Sequence, residues 1–191
     1  MAKPAVGALA GPQDRPLDVV RQVALVVGAS VFVALCAHVT IPLPFTPVPL
    51  TVQDFGVLLV GLMLGSKRGF AALALYLVEG ATGLPVFSPT GKGGIAQILG
   101  PTGGYLMVYP LVAGLAGFIF ERRARTFTRA AIGGLLAEIL LFAGGLARLY
   151  FLTHSLAKAA YLGLYWFIAA SVIKVMFAAA IAGRWHRISK T

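Results

Sequence analysis

Acidic residues are scarce in this chain. Six of its 191 residues are Asp or Glu, against 16 Lys or Arg, and charged residues of both signs make up only 12%. A soluble domain carries about 25%. With 59% hydrophobic residues and a mean hydropathy of +0.88, too few polar side chains remain to coat a soluble globule. A disordered chain or a soluble enzyme is therefore excluded. A single cysteine, Cys36, rules out an intrachain disulfide framework. HExxH, a nucleophile elbow and paired catalytic acids are all absent. Gly91-Lys92 superficially resembles a phosphate loop. A Walker motif, however, needs Gly five residues before Gly91 and Ser or Thr after Lys92, where this chain has Val86 and Gly93. His38, His154 and His186 have no Cys, His or acid at metal-ligand spacing, so neither metal nor cofactor is expected. The net charge of +10 would point to nucleic acid in a soluble protein. Here the basic residues fall between apolar runs, so membrane topology explains them better and no nucleic acid is expected.

What is present in abundance is apolar sequence in long runs. Spanning a bilayer takes about 20 apolar residues. Six candidate spans are read at about Val19–Val39, Val52–Leu64 (short for a crossing), Gly69–Leu84, Gly104–Phe120, Ala130–Phe151 and Tyr161–Gly183. The expected fold is an all-α membrane protein, a compact bundle of six transmembrane helices with a proline-rich first outer loop. Residues 1–18 form an N-terminal tail, 19–184 the membrane domain and 185–191 a C-terminal tail. The fairly polar start and the long first run do not resemble a cleavable signal. Six spans segregate the charge. Lys3, Arg15, Arg21, Lys67, Arg68, Arg122, Arg123, Arg125, Arg129, Arg184, Arg187 and Lys190 fall on one side, and Lys92, Arg148 and Lys158 on the other. The positive-inside rule then predicts both termini of a multi-pass membrane protein in the cytoplasm.

Two outer loops stand out. In Ile41–Thr51, prolines at 42, 44, 47 and 49 forbid a helix and favour stiff, extended backbone. Gln53 and Asp54 follow at the start of the second helix. Such a loop is either a rigid spacer whose acid complements the helix dipole, or a lid over an outward-facing pocket with Gln53 hydrogen-bonding a ligand. The second loop, around Gly83–Tyr105, is rich in glycine, which lets backbone approach a ligand closely. It reads as a long turn or as a pocket wall.

Ionisable groups at membrane depth are costly and face protein or a wet cavity. Glu79, Glu138 and Lys174 are the candidates, with Arg148 nearer the outer surface. Lys174 lies well inside the last span, placed either to bind a ligand carboxylate or carbonyl or to pair with Glu138. Tyr150, Tyr161, Tyr165 and Trp166 fit an interfacial aromatic belt. On the first helix, Ala24 to Gly28 and Ser30 to Ala34 have small-xxx-small spacing, suited to close packing within the bundle or against another membrane protein.

Ile41-Pro42-Leu43-Pro44-Phe45-Thr46-Pro47-Val48-Pro49-Leu50-Thr51-Val52-Gln53 resembles the signature loop of the BioY family of biotin transporters. Gly83-Leu84-Pro85-Val86-Phe87 and Gly100-Pro101-Thr102-Gly103-Gly104-Tyr105-Leu106 resemble two further blocks of that family, in the same order. The similarity extends over roughly residues 24–182. It implies the substrate-binding S component of an energy-coupling factor transporter, which captures biotin at its outer face. A T component and two ATPase subunits supply the energy step, so no enzymatic activity is expected here. It further implies that Lys174 and Ser171 reach polar ligand atoms, that Gln53 and Thr51 add hydrogen bonds, and that Phe45, Phe87 and Tyr105 enclose the ring system. Ala29, Ser30 and Ala34 become the expected docking surface for the T component. Two positions depart from the family pattern: Ser171 stands where an Asp is common, and Pro89 where Asn is common. An S component for thiamine or riboflavin, a membrane-embedded enzyme acting on lipid, and a purely structural subunit are the competing readings.

Overall fold

The computed structural model describes residues 15–122 and 124–188. Most of the expected N-terminal tail, and Lys3, Arg123 and Lys190 of the charge pattern, lie outside the described residues. The described chain forms eight helices and one two-stranded ribbon. The helices are α1 (Arg15–His38), α2 (Gln53–Leu64), α3 (Ser66–Ala81), α4 (Gly94–Ile98), α5 (Gly103–Glu121), α6 (Phe127–Thr153), α7 (Leu156–Gly163) and α8 (Ile168–Ile188). The strands are β1 (Thr40–Ile41) and β2 (Leu50–Thr51).

Segments of α1, α5, α6 and α8 are long and apolar enough to cross a bilayer. Helix α1 shows how lipid and core share one apolar helix. Val19, Val23, Val27 and Val31 recur every fourth residue and are exposed, whereas Ala29, Val33 and Ala37 are buried. One face thus packs on protein through Ala29, Val33 and Ala37 while the four valines point away from it, and the two alanines let the neighbouring helices approach closely. Helix α2 has 12 residues, so it rises about 18 Å and falls short of a hydrocarbon core about 30 Å thick. It ends at Gly65, whose φ of +84° is the left-handed region open to glycine. Helix α3 then starts at the next residue. Helix α5 is central, packing on α2, α3 and α6.

Three features differ from the sequence reading. The proline loop is closed at its root, because β1 and β2 pair antiparallel with Thr40 opposite Thr51 and Ile41 opposite Leu50. The glycine-rich loop contains the short helix α4. The expected span Tyr161–Gly183 is broken between α7 and α8. The last carbonyls of a helix need partners, and here side chains supply them. Thr46 Oγ1 donates to the Leu162 carbonyl at 2.5 Å, and the Tyr105 hydroxyl donates to the Gly163 carbonyl at 2.6 Å. With these carbonyls held by the proline loop and α5, the helix stops, and Phe167 turns inward before α8 begins.

Candidate functional site

The site is built under the proline loop. Prolines remove backbone donors and exclude a helix. The segment is not, however, the extended stretch expected from its sequence. It turns at Pro44–Phe45 and bends at Pro47–Val48, because its two ends are drawn together by the ribbon at its root. The Thr46–Leu162 bond holds it across the end of the bundle. Thr46 also accepts from the Val48 amide at 3.1 Å, shaping the turn from within. On the outer surface Phe45 packs on Trp166, ring centroids 4.6 Å apart, and Tyr161 stands edge-on to Trp166 at 5.7 Å.

Beneath this strap lies a cavity of about 60 Å³. Val48, Pro49 and Thr51 roof it. Gln53 and Asp54 enter from the first turn of α2, Tyr105, Leu106 and Tyr109 from α5, Leu141 and Phe142 from α6, and Ser171 and Lys174 from α8. Ser88, Gln97 and Thr102 come from the second outer loop, and Phe167 from the α7–α8 break. An outer groove of about 320 Å³ adjoins this chamber and shares Pro49, Gln97 and Thr102 with it. Lys92 lies on the groove's wall.

Two polar networks organise the chamber. In the first, Lys174 Nζ lies 2.8 and 2.9 Å from the Asp54 carboxylate oxygens and donates to the Thr51 carbonyl at 2.6 Å. The pair is largely shielded, with side-chain exposures of 16% and 13%. It fastens α8 to both α2 and the root of the strap. The sequence offered Glu138 as the internal partner of Lys174; the ion pair forms with Asp54 instead, because α2 starts directly below the ribbon and presents its first turn to α8. In the second network, Gln53 Nε2 donates to the Tyr76 hydroxyl at 2.8 Å, which donates to the Val86 carbonyl at 2.9 Å. Both Gln53 and Tyr76 are buried, so this chain carries the second loop's position into the site.

Gln97 carries no signal in the sequence. It is buried, accepts from the Gly93 amide at 3.1 Å and donates to the Ser88 carbonyl at 3.4 Å. Arg148 donates to the Leu99 and Gly100 carbonyls and so ties α6 to the end of α4. Neither residue belongs to a motif with its own spacing; Arg148 shows in the sequence only as a cation near the outer surface. Tyr109 and Phe142 look like ordinary apolar-helix residues, and no local signal marks them.

Of the expected ligand residues, Lys174, Ser171, Gln53, Thr51 and Tyr105 come together around the cavity. Phe45 stands on the outer face of the strap, 41% exposed. Phe87 is buried one layer back, edge-on to Tyr76 with centroids 5.3 Å apart, and its ring fills the space beside Gly80 that a Cβ would occupy. Tyr105 uses the same device against Gly145. On α1, Ser30 is buried and its one hydroxyl proton is shared between the Val27 carbonyl at 2.9 Å and Glu79 Oε1 at 3.1 Å. Ser30 thus faces α3 rather than the surroundings. Ala34 is half-buried against the core. Ala29 borders an open groove between α1 and α2, where Ala24 and Gly28 are exposed.

Comparison with known proteins places this architecture. The profile of the BioY family matches residues 8–191. A probable biotin transporter BioY of Pyrococcus horikoshii is 40% identical over 156 residues, 81% of this chain and 91% of that protein. The biotin transporter BioY of Thermotoga maritima is 37% identical over 161 residues, 84% of this chain and 94% of that protein. Among solved structures, the S component for biotin from an ECF-type ABC transporter superposes with a TM-score of 0.80 at 26% identity, over 90% of this chain and 93% of that one.

Proposed function

The chain belongs to the BioY family, and from that premise we propose that it captures biotin as the substrate-binding S component of an energy-coupling factor transporter in the cytoplasmic membrane. The observation that carries the reading is the chamber under the proline strap. Its polar side chains converge from α2, α8 and the second outer loop within otherwise apolar and aromatic walls. Small-molecule sites combine such walls with a few placed polar groups. Biotin has this division: a polar ureido ring, an apolar thioether ring and a carboxylate tail.

Ser171, Lys174, Gln53 and Thr51 provide the polar contacts, and Tyr105 with Tyr109, Phe142 and Phe167 encloses the rings. Phe45 and Phe87 act from outside the chamber, Phe45 by fixing the strap against Trp166 and Phe87 by backing Tyr76. The inner chamber of about 60 Å³ is below the range of about 300–1,000 Å³ usual for ligand pockets. The adjoining groove of about 320 Å³ shares Pro49, Gln97 and Thr102 with the chamber, so the ligand extends from one into the other.

Six helices (α1, α2, α3, α5, α6 and α8) make the membrane bundle, with both termini in the cytoplasm. The domain limits stay at about 19–184. The separation of Lys and Arg between the two ends supports this orientation. A T component and ATPase subunits drive uptake, so this chain is a transporter subunit and not an enzyme. The T component docks on the small-residue face of α1 near Ala29 and Ala34. Ser30 serves that face from inside, through its bond to Glu79.

Calorimetric titration of the detergent-purified protein tests the central claim. Saturable binding of biotin, with no heat from thiamine or riboflavin, is expected. Folded protein that takes up no biotin refutes it.

A further inference from the structure

The buried acid of α6 has no role in the networks described so far. Glu138 is 4% exposed, and neither carboxyl oxygen has a hydrogen-bond partner among the described residues. The two charged side chains that line the chamber already have protein partners: Lys174 is engaged with Asp54 and the Thr51 carbonyl, and Asp54 has both oxygens on Lys174. Glu138 is thus the acid near the site with its acceptor capacity unspent. It lies three and four residues before Leu141 and Phe142, which line the cavity, and so occupies the same face of α6 one turn deeper. Its polar surroundings are Asp54, Ser171 and Lys174, all three of which line the chamber. A polar group buried without a partner is costly, and at membrane depth more so. A ligand that brings N–H donors to this floor offsets that cost, and a ligand without them leaves it in place.

We infer that Glu138, assisted by the Ser171 hydroxyl, is the specificity-determining acceptor for a ring N–H group of a cyclic urea at the floor of the cavity. The inference rests on the biotin reading above and names the atoms by which that ring is distinguished. It also sets the orientation: the ureido edge points down between α6 and α8, and the carboxylate tail leaves toward the outer groove.

The test titrates the full-length purified protein with biotin and with an analogue methylated on both ring nitrogens. Wild-type protein is expected to prefer biotin by about tenfold, the scale of leaving a buried acceptor without its hydrogen bond. In Glu138→Leu, which has no acceptor, that preference falls through weaker biotin binding, while the analogue binds as before. The ligand-free variant melts no lower than wild type, since an unpartnered buried acid has been removed. Glu138→Asp keeps the acid but withdraws it by one methylene, and it also loses preference. Full preference in either variant, or equal loss for both ligands, overturns the assignment. Wild-type protein that binds both ligands equally overturns the assignment alone. Wild-type protein that binds neither overturns the biotin reading and the assignment with it.

Discussion

Lys174 and Asp54, 120 residues apart in sequence, meet with both carboxylate oxygens within 2.9 Å of the ammonium. The same ammonium holds the carbonyl of Thr51 at the root of the strap. A single cation therefore joins α8, α2 and the roof of the cavity.

Removing one member of a shielded ion pair leaves the other charge uncompensated, at a cost of about 3–5 kcal/mol. Lys174→Ala and Asp54→Asn are each expected to lower thermal stability in detergent. The double variant Asp54→Leu with Lys174→Met regains most of the loss. Lys174→Ala also weakens biotin binding about tenfold or more. Single variants that melt and bind as wild type contradict the role given to this pair.

The Gln53–Tyr76–Val86 chain predicts an effect at a distance. Tyr76→Phe keeps the ring against Phe87 but leaves the Gln53 amide and the Val86 carbonyl without their partner, at about 1–3 kcal/mol for each orphaned group. Stability is expected to fall, and biotin affinity with it, because Gln53 loses the contact that orients it. Unfolding curves and titration of the same preparation check both. Loss of stability with unchanged affinity would remove Gln53 from the ligand contacts.

The break between α7 and α8 depends on two hydroxyls. Tyr105→Phe and Thr46→Val each delete one cap of a carbonyl at the end of α7, worth about 0.5–1.5 kcal/mol. Amide hydrogen exchange is expected to quicken over residues 163–167 in both. In Thr46→Val it quickens along the strap as well, since Thr46 also holds the Val48 amide. Exchange patterns identical to wild type would show that the break is set elsewhere.

Gly80 is where the Phe87 ring lies against helix α3. Gly80→Ala forces that ring away, with an overpacking cost of about 1–3 kcal/mol. Gly28 on α1 is open: nothing lies within 4 Å of the point where a Cβ would stand. Gly28→Ala is therefore expected to leave the isolated protein as stable as wild type or slightly more so. Gly28→Leu fills the groove between α1 and α2. It is expected to preserve biotin binding while reducing uptake by the assembled transporter. Normal uptake would place the T component on another face.

Orientation is testable by labelling. With Cys36 replaced by Ala, a cysteine introduced at the exposed Pro44 is expected to react with a membrane-impermeant thiol reagent added to intact cells. A cysteine at the exposed Arg184 is expected to react only after the membrane is opened. The reverse pattern contradicts capture from outside.

Much of this protein is legible in local sequence. Runs of apolar residues and the placement of Lys and Arg act through solvation, which each segment meets by itself, so they identify a membrane helix bundle without knowledge of its packing. Helices α1, α2, α5 and α6 start and stop within a few residues of the positions read from sequence. That residues 42–49 do not form a helix is equally legible, because proline excludes one at the residue that carries it; the turns and the closed root of the loop are not. Three aligned motifs point to the family.

Partnership was left to the tertiary structure. Asp54 carries a dipole explanation of its own and Lys174 a plausible partner in Glu138, and nothing in either local sequence selects between them. Only the placement of α2 under the ribbon settles it. The end of α7 is likewise invisible locally, since its carbonyls are held by Thr46 and Tyr105 from distant parts of the chain. Burial on one face of an all-apolar helix is a third such case. Val31 and Val33 are chemically identical, one exposed and one fully enclosed, because lipid and protein interior attract the same side chain and only packing separates them.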